Sequence, residues 1–337
     1  MIDYRSDTFT KPTPAMLEAM MKAPVGDDVF REDPTVNKLE ALMAEKFGME
    51  SGLFCPSGTM TNQIAIKCHT QPGNEVICDS MSHVYIYEGG GIAFNSGCQV
   101  KPLSGNRGRI NARQVMEAIN PNDIHKAPTK LVSLENTANR GGGSCYDLQD
   151  IKDIKDVCLE FDLKLHLDGA RVFNAIVKNN EDPKQYGQLF DSISICLSKG
   201  LGAPVGSVLI GSSDFINRAR RVRKVFGGGM RQAGIIAAAG IYALENNIER
   251  LATDHKHAKQ IADCLKEMDF VGDIMPLETN ILIFEVKQPY TPVSLKEKLA
   301  LSDIRIMDIS PTQIRMVLHL DIDEDMVHKT IDAIKDL

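Results

Sequence analysis

No excess of positive charge marks this sequence: 38 Lys and Arg stand against 45 Asp and Glu, a formal net charge of −7 over 337 residues, with a pI near 5.7. Such a balance gives no basic field for gathering nucleic acid or an anionic membrane, which points to small molecules as partners. Long hydrophobic runs are also missing. The longest strongly apolar stretch, Gly234 to Leu244, is too short to cross a bilayer. The opening Met1-Ile2-Asp3-Tyr4-Arg5-Ser6-Asp7-Thr8 has no apolar signal-peptide core, so a cytoplasmic protein is expected. The eight cysteines form no Cys-x-x-Cys pair and read as reduced core thiols. His255 and His257 flank Lys256 at a spacing that suits a solvated helix face, and no metal is expected. Gly-x-x-x-x-Gly-Lys-Ser/Thr is absent. The run Gly200 to Gly206 only faintly resembles a dinucleotide fingerprint, because Pro204 intervenes and a strand follows. Nucleoside triphosphate and nicotinamide readings lose support accordingly.

What is present is a chain long enough for about two domains, with 43% hydrophobic and 25% charged residues as in ordinary globular proteins. Short apolar or β-branched runs at Leu53–Cys55, Glu75–Asp79, Gln99–Leu103, Lys130–Glu135, Lys164–Asp168, Ser192–Leu197 and Ser207–Ile210 alternate with helical patterns. That rhythm predicts an α/β fold: a mainly parallel seven-stranded sheet with helices on both faces. Asp33, Pro34 and Gly48 mark the cap, first position and stop of a helix over Pro34–Phe47. After Gly234 two long helices, over 231–246 and 248–268, precede strands near 280–286 and 313–319 and a last helix over 324–336. These elements predict a smaller C-terminal α/β domain, dividing the chain into 1–246 and 247–337.

Five segments carry chemistry. Lys199 stands between two apolar strands in Ser194-Ile195-Cys196-Leu197-Ser198-Lys199-Gly200. A walled-in amine is disfavoured as ammonium and can attack an aldehyde to form a Schiff base, although a lysine snorkelling out of a loop reads the same locally. Ser57-Gly58-Thr59 opens a helix after a strand, either an anion cup or an ordinary cap. Asp168, at the end of the alternating strand Lys164-Leu165-His166-Leu167-Asp168, needs a cation if buried; a protonated ring nitrogen or Arg171 would serve. His83, just past a strand end, can stack on a planar ring and move protons, or lie exposed. Arg315, inside the apolar strand Gln313-Ile314-Arg315-Met316-Val317, suits a carboxylate or an exposed strand face.

At these residues the sequence resembles the threonine aldolases, pyridoxal-phosphate enzymes of the aspartate-aminotransferase fold (fold type I). The matching stretches run from Arg5-Ser6-Asp7-Thr8 to Arg315-Met316-Val317-Leu318-His319-Leu320-Asp321 and include Ser133-Leu134-Glu135-Asn136-Thr137, His166-Leu167-Asp168-Gly169-Ala170-Arg171 and Gly227-Gly228-Gly229-Met230-Arg231-Gln232. The resemblance implies that Lys199 binds pyridoxal 5'-phosphate covalently and that Asp168 pairs with its ring nitrogen. By the same matching His83 stacks on the ring, and Ser57, Gly58 and Thr59 hold the phosphate. Ser6, Arg171 and Arg315 bind the substrate carboxylate, Arg171 counting among the cofactor contacts too. His125 lies near the substrate hydroxyl. Lys224 and Arg231 act as active-site cations offered across a subunit interface of a homotetramer or dimer. The implied reaction is retro-aldol cleavage of threonine or allo-threonine to glycine and an aldehyde, with His83, His125 or water taking the hydroxyl proton. A racemase or β-eliminating lyase on the same scaffold is the alternative enzyme, and a non-catalytic metabolite-binding protein the alternative class. Two departures bear on side-chain selectivity: Phe30-Arg31, where the family usually has tyrosine and glycine, and the glycine-rich Gly141-Gly142-Gly143.

Overall fold

A computed structural model describes residues 1–337. In chain order the strands are β1 (Ile2–Asp3), β2 (Ser51–Cys55), β3 (Glu75–Asp79), β4 (Gln99–Leu103), β5 (Thr129–Glu135), β6 (Lys164–Gly169), β7 (Ser192–Cys196), β8 (Ser207–Gly211), β9 (Val271–Ile274), β10 (Ile281–Val286), β11 (Ile304–Arg305), β12 (Met307–Asp308) and β13 (Gln313–Val317). The large sheet has the order β2-β8-β7-β6-β5-β3-β4. Every pairing is parallel except those made by β8, which runs antiparallel to both neighbours. The expected seven-stranded, mainly parallel sheet is therefore present.

Apart from the edge strand β4, its strands are buried on both faces, as a helix-covered parallel sheet requires. Val132 and Leu134 of β5, Leu165 and Leu167 of β6, and Ile193 and Ile195 of β7 pack with Val36, Leu39 and Met43 of the helix Pro34–Phe47. Each such side chain contributes roughly 1.5–3 kcal/mol by leaving water. That helix starts where the Asp33 carboxylate accepts the Thr35 and Val36 N–H groups, and it stops at Gly48 with φ 64°. The helix expected from 231 begins at Gly234 instead, where Asp33 also takes the Gly234 N–H at 2.8 Å.

A second sheet, ordered β12-β13-β10-β9, is antiparallel throughout. Leu282, Phe284, Ile314 and Met316 on one of its faces pack with Ala258, Ile261, Val327 and Ile334 from two helices. Ile2 and Tyr4, expected with the large part of the chain, belong to this second core. β1 pairs in parallel with β11, Val317 N–H donates to the Tyr4 carbonyl at 2.8 Å, and the Tyr4 hydroxyl meets Thr330 at 2.8 Å. The N-terminal arm thus leaves the small core and enters the large one beside Lys199.

All eight cysteines are free thiols. His255 and His257 do not share the solvated face expected of them. His257 is buried with Nε2 3.1 Å from Glu324, and the half-buried His255 bonds Asn174 at 3.0 Å. No helix is long and apolar enough to cross a membrane.

Candidate functional site

Lys199 lies in the connection from β7 to β8, whose backbone is tied down at several points. Leu197 N–H donates to Gly206 at 3.0 Å, and the Lys199 carbonyl accepts both the Gly202 N–H at 2.8 Å and the Thr10 hydroxyl at 3.1 Å. The side chain borders a cavity of about 440 Å³ that also receives Ser6, His83, Glu135, Arg171 and Arg315. The half-buried lysine therefore faces an open cleft lined from both parts of the chain instead of standing free on a surface loop.

The two arginines differ in what holds them. Arg171 makes a bidentate pair with buried Asp7, Nε and one terminal nitrogen each donating at 2.7 Å. Burial alone would raise the Asp7 carboxyl, but Arg171 and, more weakly, Lys199 hold it down at about 2. The remaining Arg171 nitrogen reaches Asn139 Oδ1 at 3.4 Å, and Arg315 donates to that same oxygen at 3.2 Å. Arg315 has no carboxylate partner; it donates to the Arg5 carbonyl at 3.2 Å, and its buried Nε has no acceptor at all. Burial lowers its pKa, and the Arg171 charge acts in the same direction. An anion entering between these groups would relieve that field. The exposed-strand reading of Arg315 does not hold, since its side chain lines the cavity.

Opposite the arginines lies an acidic cluster that the register of the sheet creates. Pairing of β5 with β6 sets Glu135 directly against Asp168. Asp168 is buried and accepts the Asn62 amide at 2.9 Å and the Ala170 N–H at 3.1 Å, but no cation. Arg171, the structural partner considered for it, is committed to Asp7. Glu88, also buried, accepts from Asn62 at 2.9 Å, Gln63 at 2.6 Å and His83 Nδ1 at 2.9 Å. One ligating atom each of His83, Glu88 and Asp168 falls within 4.8 Å of the others. Burial pulls the His83 pKa down, yet the Glu88 hydrogen bond and the Asp168 and Glu88 charges raise it on balance. Glu135 accepts the His83 and Asn139 N–H groups at 2.7 and 2.8 Å; burial, followed by the Asp168 charge, pushes its carboxyl up to about 7.

The helix Gly58–His69 joins this cluster to its own N-terminus, because Asn62 lies one turn beyond Gly58. Ser57 caps the Met60 N–H, which leaves the Gly58 and Thr59 N–H groups pointing out of the helix without acceptors. Gly58 has a packing reason as well: a Cβ there would lie 2.5 Å from Cys196 Sγ.

Three expected site residues are elsewhere. His125 is 81% exposed on a loop, where Asp123 accepts both its N–H and its ring Nδ1, and the neighbouring Ile124 has no core to anchor it. Lys224 is exposed at the end of its helix, and exposed Arg231 pairs with Asp27 at 2.8 Å. None of the three lines the cavity of its own chain; Asp168, Ser57, Gly58 and Thr59 are not among its lining residues either, but the Asn62 hydrogen bond ties Asp168 to the helix that Gly58 opens. Sequence reasoning in turn missed Asp7, Asn62, Glu88, Glu135 and Asn139 as site residues. Asp7 and Glu135 stand inside matching stretches, and Asn62 lies three residues beyond Thr59. The i, i+4 spacing of Gly58 and Asn62, which sets both on the sheet-facing side, was an available signal.

Comparison with known proteins agrees with this architecture. A family profile described as beta-eliminating lyase matches residues 3–289, which sets the class. The low specificity L-threonine aldolase of Escherichia coli strain K12 is 45% identical over 328 residues, covering 97% of this chain and 96% of that protein. Low-specificity L-threonine aldolase 1 of Arabidopsis thaliana is 39% identical, covering 98% and 95%. Among solved structures, Leishmania major threonine aldolase superposes with a TM-score of 0.88 at 22% identity, covering 100% of this chain and 99% of that one. A Sphingomonas wittichii serine palmitoyltransferase shares the fold at 0.78 and 15%, covering 99% and 86%. The chain belongs to the low-specificity L-threonine aldolase family within the beta-eliminating lyases.

Proposed function

We propose that this protein is a pyridoxal-phosphate-dependent lyase that cleaves threonine and allo-threonine to glycine and acetaldehyde. One observation carries the reading: Lys199, His83, Arg171 and Arg315 line one cavity, and Asp168, a buried carboxylate without a cationic partner, is paired in register with the lining residue Glu135 just behind it. Lys199 would hold the cofactor aldehyde through its amine, Asp168 the ring N–H, and His83 the ring face. Ser57, Gly58 and Thr59 would hold the phosphate. When bound, pyridoxal phosphate supplies a protonated ring that accepts the electron pair released as a bond to Cα breaks.

Ser6, Arg171 and Arg315 bind and orient the substrate carboxylate. Held there, the amino acid can turn its Cα–Cβ bond perpendicular to the ring plane, which selects cleavage of carbon–carbon over loss of the α-proton. His83 Nδ1 is committed to Glu88, so Nε2 is the nitrogen free to take the β-hydroxyl proton; the raised pKa fits a base that must hold that proton. The large unit, 1–246, supplies the cofactor groups, and the small unit, 247–337, brings Arg315. Lys224 and Arg231 would complete the phosphate cup from a second subunit. Exposed Phe94, Ile124 and Val225, at 90%, 98% and 82%, support such an oligomer. The eight free thiols support a cytosolic setting.

The test is incubation of the loaded enzyme with threonine and allo-threonine, measuring acetaldehyde and glycine. Wild type should release both in equal amounts, Lys199→Ala should lose the activity, and borohydride should fix a phosphopyridoxyl group on Lys199. Equal rates in the two proteins would overturn the reading. The beta-eliminating lyase description of the family profile favours a second reaction on the same scaffold; elimination would yield ammonia and a keto acid instead.

A further inference from the structure

The alternation of β6 puts His166 and Asp168 on the same face of the strand, two residues apart. No role has yet been given to His166, which is fully buried and sits against Ser192 across the β6–β7 pairing. Around it runs a file of polar groups whose hydrogen bonds all point one way. Asn62 sets the direction. Its amide nitrogen donates to Glu88 and to Asp168, each at 2.9 Å, so both hydrogens are taken by carboxylates. Its Oδ1 must then accept from His166 Nε2, 3.2 Å away. Turning the amide over would press Oδ1 against two carboxylates.

With the hydrogen on Nε2, His166 Nδ1 is an acceptor in the neutral ring, and the Ser192 hydroxyl donates to it at 2.8 Å. The Ser192 oxygen in turn accepts from His69 Nε2 at 2.8 Å. Both rings stay neutral near physiological pH: burial, with a smaller contribution from His69, lowers the His166 pKa to about 3, and burial lowers His69 to about 4. His69 is stacked on Phe215 with ring centroids 4.6 Å apart, which fixes the far end of the file. Every dipole in the series therefore presents its positive end toward Asp168, and aligned hydrogen bonds of this kind strengthen one another.

We infer that His166 is a positioning residue for the cofactor: acting through Asn62, it keeps Asp168 ionised so that the proton of the pair stays on the cofactor ring nitrogen. This rests on the proposed pairing of Asp168 with that nitrogen. Ser192 and His69 serve by fixing the His166 tautomer. Loss of the donor behind Asn62 makes the carboxylate more basic and draws the shared proton off the ring. The electron-accepting power of the ring falls as a result, while the carboxylate clamp at Arg171 and Arg315 is untouched.

The experiment uses wild-type holoenzyme and the variants His166→Phe, His166→Gln and Ser192→Ala, each loaded with pyridoxal phosphate isotopically labelled at its ring nitrogen. In wild type the nitrogen resonance should report a protonated ring. In His166→Phe it should move toward neutral pyridine, with kcat for threonine down by about 10–100-fold and KM within about twofold, as for loss of an outer-shell partner. His166→Gln, whose amide can still donate to Asn62, should restore both. Ser192→Ala tests the same file with little change of volume and should shift the resonance in the same direction, by less. A ring-nitrogen resonance unmoved in both His166→Phe and Ser192→Ala overturns the inference, as does a rise in KM that accounts for the lost efficiency. Wild-type protein that binds no labelled cofactor would instead defeat the proposed function.

Discussion

Removing Arg171 and removing Arg315 should have different consequences, because only one of them leaves a buried charge behind. Arg171→Ala strands the Asp7 carboxylate, which is fully buried and bonded twice to that guanidinium. Breaking such a pair costs about 3–5 kcal/mol, so thermal or urea melts should show a clear loss of stability. Arg315→Ala strands no anion. Its effect should appear in the KM for threonine, raised about ten- to a hundredfold if one charged hydrogen-bond donor worth about 1.5–3 kcal/mol is lost, with the melt changed far less. Steady-state kinetics beside melting curves for the two variants check the contrast. Arg31 offers a test of another kind. It adopts φ 63°, the left-handed region, which costs a side chain with a Cβ about 1–2 kcal/mol. Arg31→Gly should therefore hold or slightly raise the melting temperature, and the family's usual glycine here has a backbone reason. Glycine at position 143 is explained similarly: its φ is 71°, and a Cβ would collide with the Thr279 hydroxyl. Backbone geometry thus favours glycine at both positions: it accounts for Gly143 and leaves Arg31 as the strained departure.

At the scale of elements, the helix Gly58–His69 is the piece that ties sheet, acid and anion cup together. Gly58→Ala should push its first turn off Cys196, at a cost of about 1–3 kcal/mol for overpacking, and weaken cofactor binding. The double variant Gly58→Ala, Cys196→Ala should recover part of both, measured by cofactor titration and by melting. The strands of the large sheet were legible because strand and helix periods alternate cleanly there; β3 and β4 fall on the residues that apolar patterning marks. β9 was not, since Val271-Gly272-Asp273-Ile274 has a single buried residue and too little apolar character to register. The site was legible in its motif residues and not in their partners. Asn62 meets Asp168 across 106 positions and Asp7 meets Arg171 across 164, and a single sequence carries no signal for such pairings. His125 is the complementary case: resemblance supplied its role, and within its own chain the loop around it has only Asp123 to hold it.

For the whole molecule, three half-buried or buried histidines make stability depend on pH. His69, His166 and His255 have pKa values lowered to about 4, 3 and 4, burial being the first cause of each. A histidine whose folded pKa lies below its unfolded value of about 6.5 stabilises fully above that value. The contribution is lost as pH falls, by about 1.4 kcal/mol per pH unit. Glu135, whose pKa is raised to about 7, acts in the opposite sense through the same window, and His83, whose pKa is raised, does so above about 6.5, so one group is best isolated by difference. Between about pH 7 and about pH 5, wild type should lose about 2 kcal/mol relative to His69→Gln, read from parallel urea melts. If subunits share sites, mixing inactive Lys199→Ala with Arg231→Ala should restore activity to roughly a quarter of wild type, since mixed dimers hold one intact site. No recovery after confirmed subunit exchange would place both residues in one chain's site.

The arm that carries Ile2 and Tyr4 into the small core and Ser6 and Asp7 to the cavity also sets a schedule for synthesis. Its partners, Ile304, Arg305 and Val317, are translated some three hundred residues later, roughly 15–60 s at about 5–20 residues per second. The arm must therefore wait on the ribosome for a strand that does not yet exist. A nascent chain released early could have its large sheet in place and still be unable to grip an amino acid, so competence arrives only with the last tenth of the polypeptide.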